Sequence, residues 1–311
     1  MALFANSSIT PSFSAASALS AFNLHSAMLR LANRELSVDL LDPTDAGDAA
    51  RQGTRYCWGG YIWQVRDATL GPLVSGPEFP QPDPTPFNGQ GLPESFRHRR
   101  RQNSAPFTWS GRTGLAIGAG VLTADDKDAV TLTEPCHWTV TPFADRVVYQ
   151  TRQAAAGFSY ELSRQIELRD RTITSVTQLT NAGDGPLALE WFAHPFWALT
   201  HGRARLRLPA GTTVSDNPGF AMAGDGTLTF TRPFVTKDDN QFALLTLPPG
   251  RELSLSLDHP KLARVTFVTS FVPDECPVWA NAHTVSVEPY LSLRLAPGET
   301  RHWHVRHGFE K

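Results

Sequence analysis

The chain has 311 residues, of which 41% are apolar and 19% charged, and its formal net charge is −2. That balance describes an ordinary globular protein and argues against nucleic acid as the main partner, which would favour a clearly basic surface. No run approaches the roughly eighteen apolar residues of a transmembrane helix, and the widely spaced Cys57, Cys136 and Cys276 form no Cys-x-x-Cys pair that would suggest a zinc site or a disulfide framework.

Length alone would allow two domains, but nothing in the chain reads as a linker between globular halves. Residues 1–26 are rich in Ser, Ala and Phe, with no basic residue before Arg30. A secretory signal would want a positive start and a denser apolar centre. The expectation is an N-terminal arm over 1–26, loosely ordered or covering a sheet edge, then a single domain over 27–311 in a cytoplasmic protein.

From Met28 the pattern is that of strands. Leu29 and Leu31, then Leu36, Val38 and Leu40, flank Ala32-Asn33-Arg34-Glu35 and predict a hairpin. Residues 42–54, with Pro43 and two glycines, read as a loop. A strand rich in aromatic and β-branched residues follows Gly59-Gly60, whose pairing marks a bend. Arg55, just before it, is either a surface residue or a donor reaching into a pocket, since a guanidinium offers five fixed donors.

Residues 71–94 are dense in proline and glycine, yet Phe79, Phe87, Leu92 and Phe96 predict a loop folded over the sheet mouth, with Glu78 and Glu94 as candidate pocket residues. The run Arg97-His98-Arg99-Arg100-Arg101 is either a solvated basic patch or a site for an anionic sugar. Repeated alternation through 106–176, with turns every eight to twelve residues, predicts antiparallel sheets packed face to face. No stretch reads as a helix of three turns. The late His302, His304 and His307 do not form a metal set, because on a strand 302 and 304 face one way and 307 the other.

Two stretches carry chemistry. In the first, a turn over Asn181–Pro186 leads into the alternation Leu187, Leu189, Trp191 against Ala188, Glu190, Phe192, which ends at His194-Pro195. Proline cannot donate to a ladder and holds its neighbour extended. His194 is therefore presented at a strand end among Trp191, Phe192, Phe196 and Trp197. Alone it would read as a structural histidine. The second stretch is Val285-Ser286-Val287-Glu288-Pro289-Tyr290, a carboxylate at the end of an apolar alternation, again followed by proline.

Together these stretches resemble the aldose 1-epimerase (galactose mutarotase) family, in which a turn like Thr180–Asp184 leads to a strand ending His-Pro-aromatic and a late Val-x-Val-Glu-Pro strand carries a carboxylate. Leu295-Ala296-Pro297-Gly298-Glu299 followed by Trp303-His304-Val305 is similar to the family's closing pattern.

The resemblance implies an all-β fold, a large two-sheet antiparallel β-sandwich over roughly 27–309. It implies an enzyme that interconverts sugar anomers, with Glu288 as base and His194 as acid. Asp239 (or Asp238) and Arg55 would hold sugar hydroxyls, and Trp191 or Trp197 would stack on the ring. The family places a second active-site histidine near His98, but the motif around His98 departs from the family's. No metal or organic cofactor is implied. The implied partner is a small-molecule sugar, a free aldose or a sugar phosphate. Two rivals remain: a carbohydrate-binding protein without turnover, and a carbohydrate-processing enzyme of another chemistry.

Overall fold

The computed structural model of the chain describes residues 28–81, 83–98 and 107–311. The expected arm over 1–26, and Arg99, Arg100 and Arg101, lie outside the described residues.

The architecture is antiparallel β throughout. The expected hairpin pairs Leu29–Ala32 with Leu36–Leu40, and Ile62–Asp67 joins it after the Gly59-Gly60 bend. The loop expected over 42–54 contains a single helical turn, Ala46–Ala49, capped by the Asp45 carboxylate, which accepts from the backbone N–H of Gly47 and Asp48. An aspartate ahead of a short Ala-rich turn meets the unpaired amides at a helix start.

Among the described residues the largest sheet has ten strands. At its centre, Arg146–Ala155, Phe158–Arg169, Thr172–Asn181 and Thr300–Glu310 pair in succession. Period-2 alternation places Val147, Tyr149, Tyr160, Leu162, Ile166, Ile173 and Leu179 on the buried face. The side chain of Arg164 lies on that same face. Burying an unpaired guanidinium would be prohibitive, but Arg164 Nη2 lies 2.6 Å from Glu94 Oε2 and donates to Ser175 Oγ at 2.7 Å. This buried ion pair fastens the large sheet to the short strand Glu94–Phe96.

The β-sandwich implied by the resemblance is present, and among the described residues it is divided into five hydrogen-bonded antiparallel sheets sharing one main core. The division has a local cause. Strand Leu187–Ala193 lies between Tyr290–Leu295 and Glu94–Phe96 in a three-stranded sheet. Trp197–Ala198 and Thr284–Val287 belong instead to a five-stranded sheet that includes Cys276–Ala280 and Gln241–Thr246. Both segments cross from one sheet to the other at a residue-proline step: His194-Pro195 in one direction, Glu288-Pro289 in the other. Each proline lacks the N–H that would carry the ladder on. The seam between the two sheets is where the two candidate residues meet.

Candidate active site

At the seam the backbone is held firmly. His194 N donates to Pro93 O at 2.9 Å, Phe196 N to Gly91 O at 2.8 Å and Glu288 N to Pro277 O at 2.8 Å. Gly91 is left-handed with φ +82°, and a Cβ there would run into the carbonyls of Ile62 and Trp63. Only glycine lets these backbones approach so closely.

His194 and Glu288 are both buried, and Glu288 Oε1 lies 3.2 Å from His194 Nε2. Arg55 Nη2 is 2.8 Å from the same nitrogen, while Ser286 Oγ is 3.1 Å from Nδ1. A guanidinium can only donate. Nε2 therefore accepts from Arg55, and the ring proton sits on Nδ1 and is donated to Ser286. Ser286 and Glu288 are two residues apart on an extended segment and so share a face. They flank the imidazole, one near each ring nitrogen.

Burial depresses the His194 pKa well below the usual histidine range, and the Arg55 charge adds to the effect. Burial pushes the Glu288 carboxyl up to about 7, although Arg55 and Arg97 pull it back. With the imidazole held neutral, the pair holds one proton at pH values below about 7, and that proton resides on Glu288. The sequence reading put that proton on His194; desolvation of the ring beside a guanidinium is what reverses it.

Arg55, Asn88, His194 and Glu288, with Pro77, Phe87, Phe196, Phe242 and Trp279, line a cavity of about 280 Å³. This is close to the lower end of the roughly 300–1,000 Å³ common for small-molecule sites. A hollow of about 390 Å³ on the large sheet is lined by Thr139, Gln150, Arg152, Glu161 and Ser163 among others. It contains no buried acid–base pair among the described residues, so the smaller cavity is the candidate site.

The five-stranded sheet supplies one wall by register. Phe242 pairs with Trp279, and Trp279 with Ser286, so the three stand in a row across neighbouring strands. The same register explains where Trp197 goes. It pairs with Val285, whose side chain is on the face opposite Ser286, and its ring packs edge-on to Phe267 in the core. Trp191 precedes His194 by three residues, an odd step that turns it to the other face, where it meets Phe271 and Trp303. Neither tryptophan lines the cavity; Trp279 and Phe242 do.

The remaining expectations divide. Arg55 is in the site, donating also to Phe87 O at 3.0 Å. Asp239 is not a lining residue: both its oxygens accept from Arg232, at 2.7 and 2.8 Å, and Oδ2 also accepts from Val235 N. Asp238 pairs with Lys237 at 2.9 Å. His98 is buried away from the lining, its carbonyl accepting from Trp109 Nε1. Arg97 pairs with Glu190 at 3.0 Å. The loop over 71–94 does fold over the site, but through Pro77, Phe87 and Asn88. Glu78 braces that loop from behind, and Glu94 belongs to the buried pair with Arg164. Ser286, Asn88, Phe242 and Trp279 escaped the sequence reading, although the alternation that singled out Glu288 also puts Ser286 on its face.

Among the described residues, no group of three or more His, Cys, Asp or Glu side chains could hold a metal ion, and no helix is long and apolar enough to cross a membrane.

No protein-family model matches the sequence, and no curated protein matches it. Solved structures do. A galactose mutarotase related enzyme from Lactobacillus acidophilus superposes with a TM-score of 0.59 at 13% identity, over 91% of this chain and 97% of that one. The fold is that of the galactose mutarotase-like proteins. A galactose mutarotase-like protein from Clostridium acetobutylicum gives 0.54 at 12% identity, over 91% and 94% of the two chains. An aldose epimerase homologue from C. elegans gives 0.52 at 12% identity, over 91% and 98%. At these identities the likeness establishes the mutarotase-like fold, and the chemistry rests on the site itself.

Proposed function

We infer that this protein is an aldose 1-epimerase-like enzyme that interconverts the anomers of a sugar. The observation that carries the reading is the buried Glu288–His194 contact, one proton between two groups, at the floor of a cavity with room for one sugar ring. Anomerisation acts on two oxygens of the same carbon, the C1 hydroxyl and the ring oxygen. A base for one and an acid for the other must be close neighbours, as these two side chains are.

Glu288 takes the proton of the C1 hydroxyl while His194 Nε2 gives a proton to the ring oxygen. The C1–O5 bond breaks, an open-chain aldehyde forms, and C1 turns about the C1–C2 bond. Reclosure on the other face returns both protons. Net protonation is unchanged, so the pair is ready for the next sugar. The working form has the shared proton on His194. Sugar hydroxyls that engage Arg55 draw its guanidinium from Nε2, removing one of the two causes that keep the ring neutral and letting the proton pass from Glu288. Ser286 keeps Nδ1 occupied so that Nε2 is the nitrogen that works. Trp279 and Phe242 offer rings to the C–H face of the sugar.

A non-catalytic sugar-binding protein is the second reading, favoured by the position of His98 outside the cavity. Polarimetry on freshly dissolved aldoses separates the two. Anomerisation above the spontaneous rate, lost in Glu288→Gln, supports the enzyme; binding without acceleration across hexoses and pentoses refutes it.

A further inference from the structure

The lip of the cavity is a loop tied down from several directions. Phe87 O accepts from Arg55, and Asn88 O accepts from Tyr56 Oη at 3.1 Å. Glu78 braces the loop from behind. Its Oε2 accepts from Thr85 N at 2.8 Å and its Oε1 from Asn88 Nδ2 at 2.9 Å. A carboxylate can only accept, so this contact fixes which end of the Asn88 amide is which. The nitrogen is turned to Glu78 and the oxygen away from it. Asn88 is half-buried and lines the cavity with Arg55, His194 and Glu288. Among the described residues, no protein donor meets Asn88 Oδ1.

The polar groups of the cavity thus differ in what they offer. Arg55 donates, Glu288 and His194 can exchange a proton, and Asn88 carries an acceptor turned away from Glu78. We propose that Asn88 is a specificity-determining residue of this site, its Oδ1 accepting a hydrogen bond from one aldose hydroxyl away from C1, and that Glu78 is the positioning residue that holds the amide in that sense. The proposal rests on the sugar reading of the site.

The test is a cycle between protein and substrate. Anomerisation is measured for a parent hexose and for a panel of hexoses each lacking one hydroxyl away from C1. The wild-type protein loses roughly three- to tenfold in kcat/KM on one member of the panel, the range of a single neutral hydrogen bond. Asn88→Ala loses the same factor on the parent hexose and nothing further on that member. Glu78→Gln must keep its oxygen for Thr85 N, so its NH2 would face Asn88 Nδ2. The amide then flips, and this variant shows the same selective loss, in KM rather than kcat. A uniform loss across the panel in Asn88→Ala, or none, overturns the proposal. Should the wild-type protein turn over no aldose, the enzymatic reading falls, and the same cycle is read as Kd by calorimetry. There the proposal stands or falls on whether Asn88→Ala abolishes discrimination against one deoxy sugar; absence of sugar binding also overturns it.

Discussion

Glu288→Gln separates chemistry from stability because glutamine copies the protonated form of the residue. The amide keeps the shape and the ability to donate toward His194 Nε2, but it cannot take a proton from the C1 hydroxyl. Loss of a general base commonly lowers turnover by about 10²–10⁴-fold. Stability should move the other way. The carboxyl titrates at an ordinary 4.5 when unfolded and at about 7 when folded. A raised carboxyl pKa means that the folded chain is favoured while the group is protonated in both states, and that this advantage is lost as pH rises from 4.5 through about 7. At about 1.4 kcal/mol per tenfold, the whole span corresponds to about 3 kcal/mol at pH 8 and less than about 1 kcal/mol at pH 5. Glutamine does not titrate. The variant should therefore gain on the wild-type protein at pH 8 by up to about 3 kcal/mol, with the gap narrowing toward pH 5. Urea melts at the two pH values measure the gap, and polarimetry on the same samples measures turnover. A folded variant with wild-type anomerisation refutes the mechanism, and a gap that does not change with pH refutes the buried, protonated carboxyl.

Other perturbations test the parts of the site separately. The rate above the spontaneous background should fall as pH rises through about 7, because Glu288 then gives up the proton that the pair needs; a rate climbing through 7 would contradict a one-proton pair. Ser286→Ala frees Nδ1 and should lower kcat by roughly the factor of ten that corresponds to about 1.4 kcal/mol of lost orientation, with KM little changed. Trp279→Ala should raise KM while Trp191→Phe leaves it alone, and the opposite pattern would restore Trp191 as the sugar platform. Arg164→Met leaves Glu94 buried without its partner and should cost about 3–5 kcal/mol in a denaturant melt; a loss below about 1 kcal/mol would mean that water reaches the carboxylate.

Much of the fold was legible because period-2 alternation is written along each strand. His194-Pro195 and Glu288-Pro289 stood out because proline stops a ladder wherever it falls. Parity was legible too, and it decides the aromatic residues better than proximity in sequence does. Trp191 and Trp197 each lie an odd number of residues from His194, and both turn into the core. Asn88 sits in a Pro/Gly-rich loop with no periodicity, so nothing local marks it; its orientation depends on Glu78 across a turn. The Arg164–Glu94 pair joins segments far apart in the chain, and neither residue's neighbours announce the other. Asp239 looked like a hydroxyl ligand in its place before a strand, and Arg232 claims both its oxygens.

The seam explains why an acid–base pair is found here and not on the face of either sheet. Within a ladder, side chains alternate between core and solvent, so a buried carboxylate and a buried imidazole on adjacent strands would both be enclosed by packing. At a residue-proline step the segment passes from one sheet to the other, so the side chain just before the proline lies at the seam and not within the face of either sheet. His194 and Glu288 are thus desolvated from behind and open in front, toward the cavity. The desolvation brings the Glu288 proton within reach of neutral pH, and the opening leaves both groups facing the cavity. Two segments of the chain crossing in opposite directions, each at a residue-proline step, place both groups at one point. Shifting His194 or Glu288 by one residue along its own strand would turn it to the other face. Insertion of a single alanine between Val287 and Glu288 should therefore abolish anomerisation, with Glu288 turned away from His194, and activity surviving that insertion would show that the seam does not set the geometry.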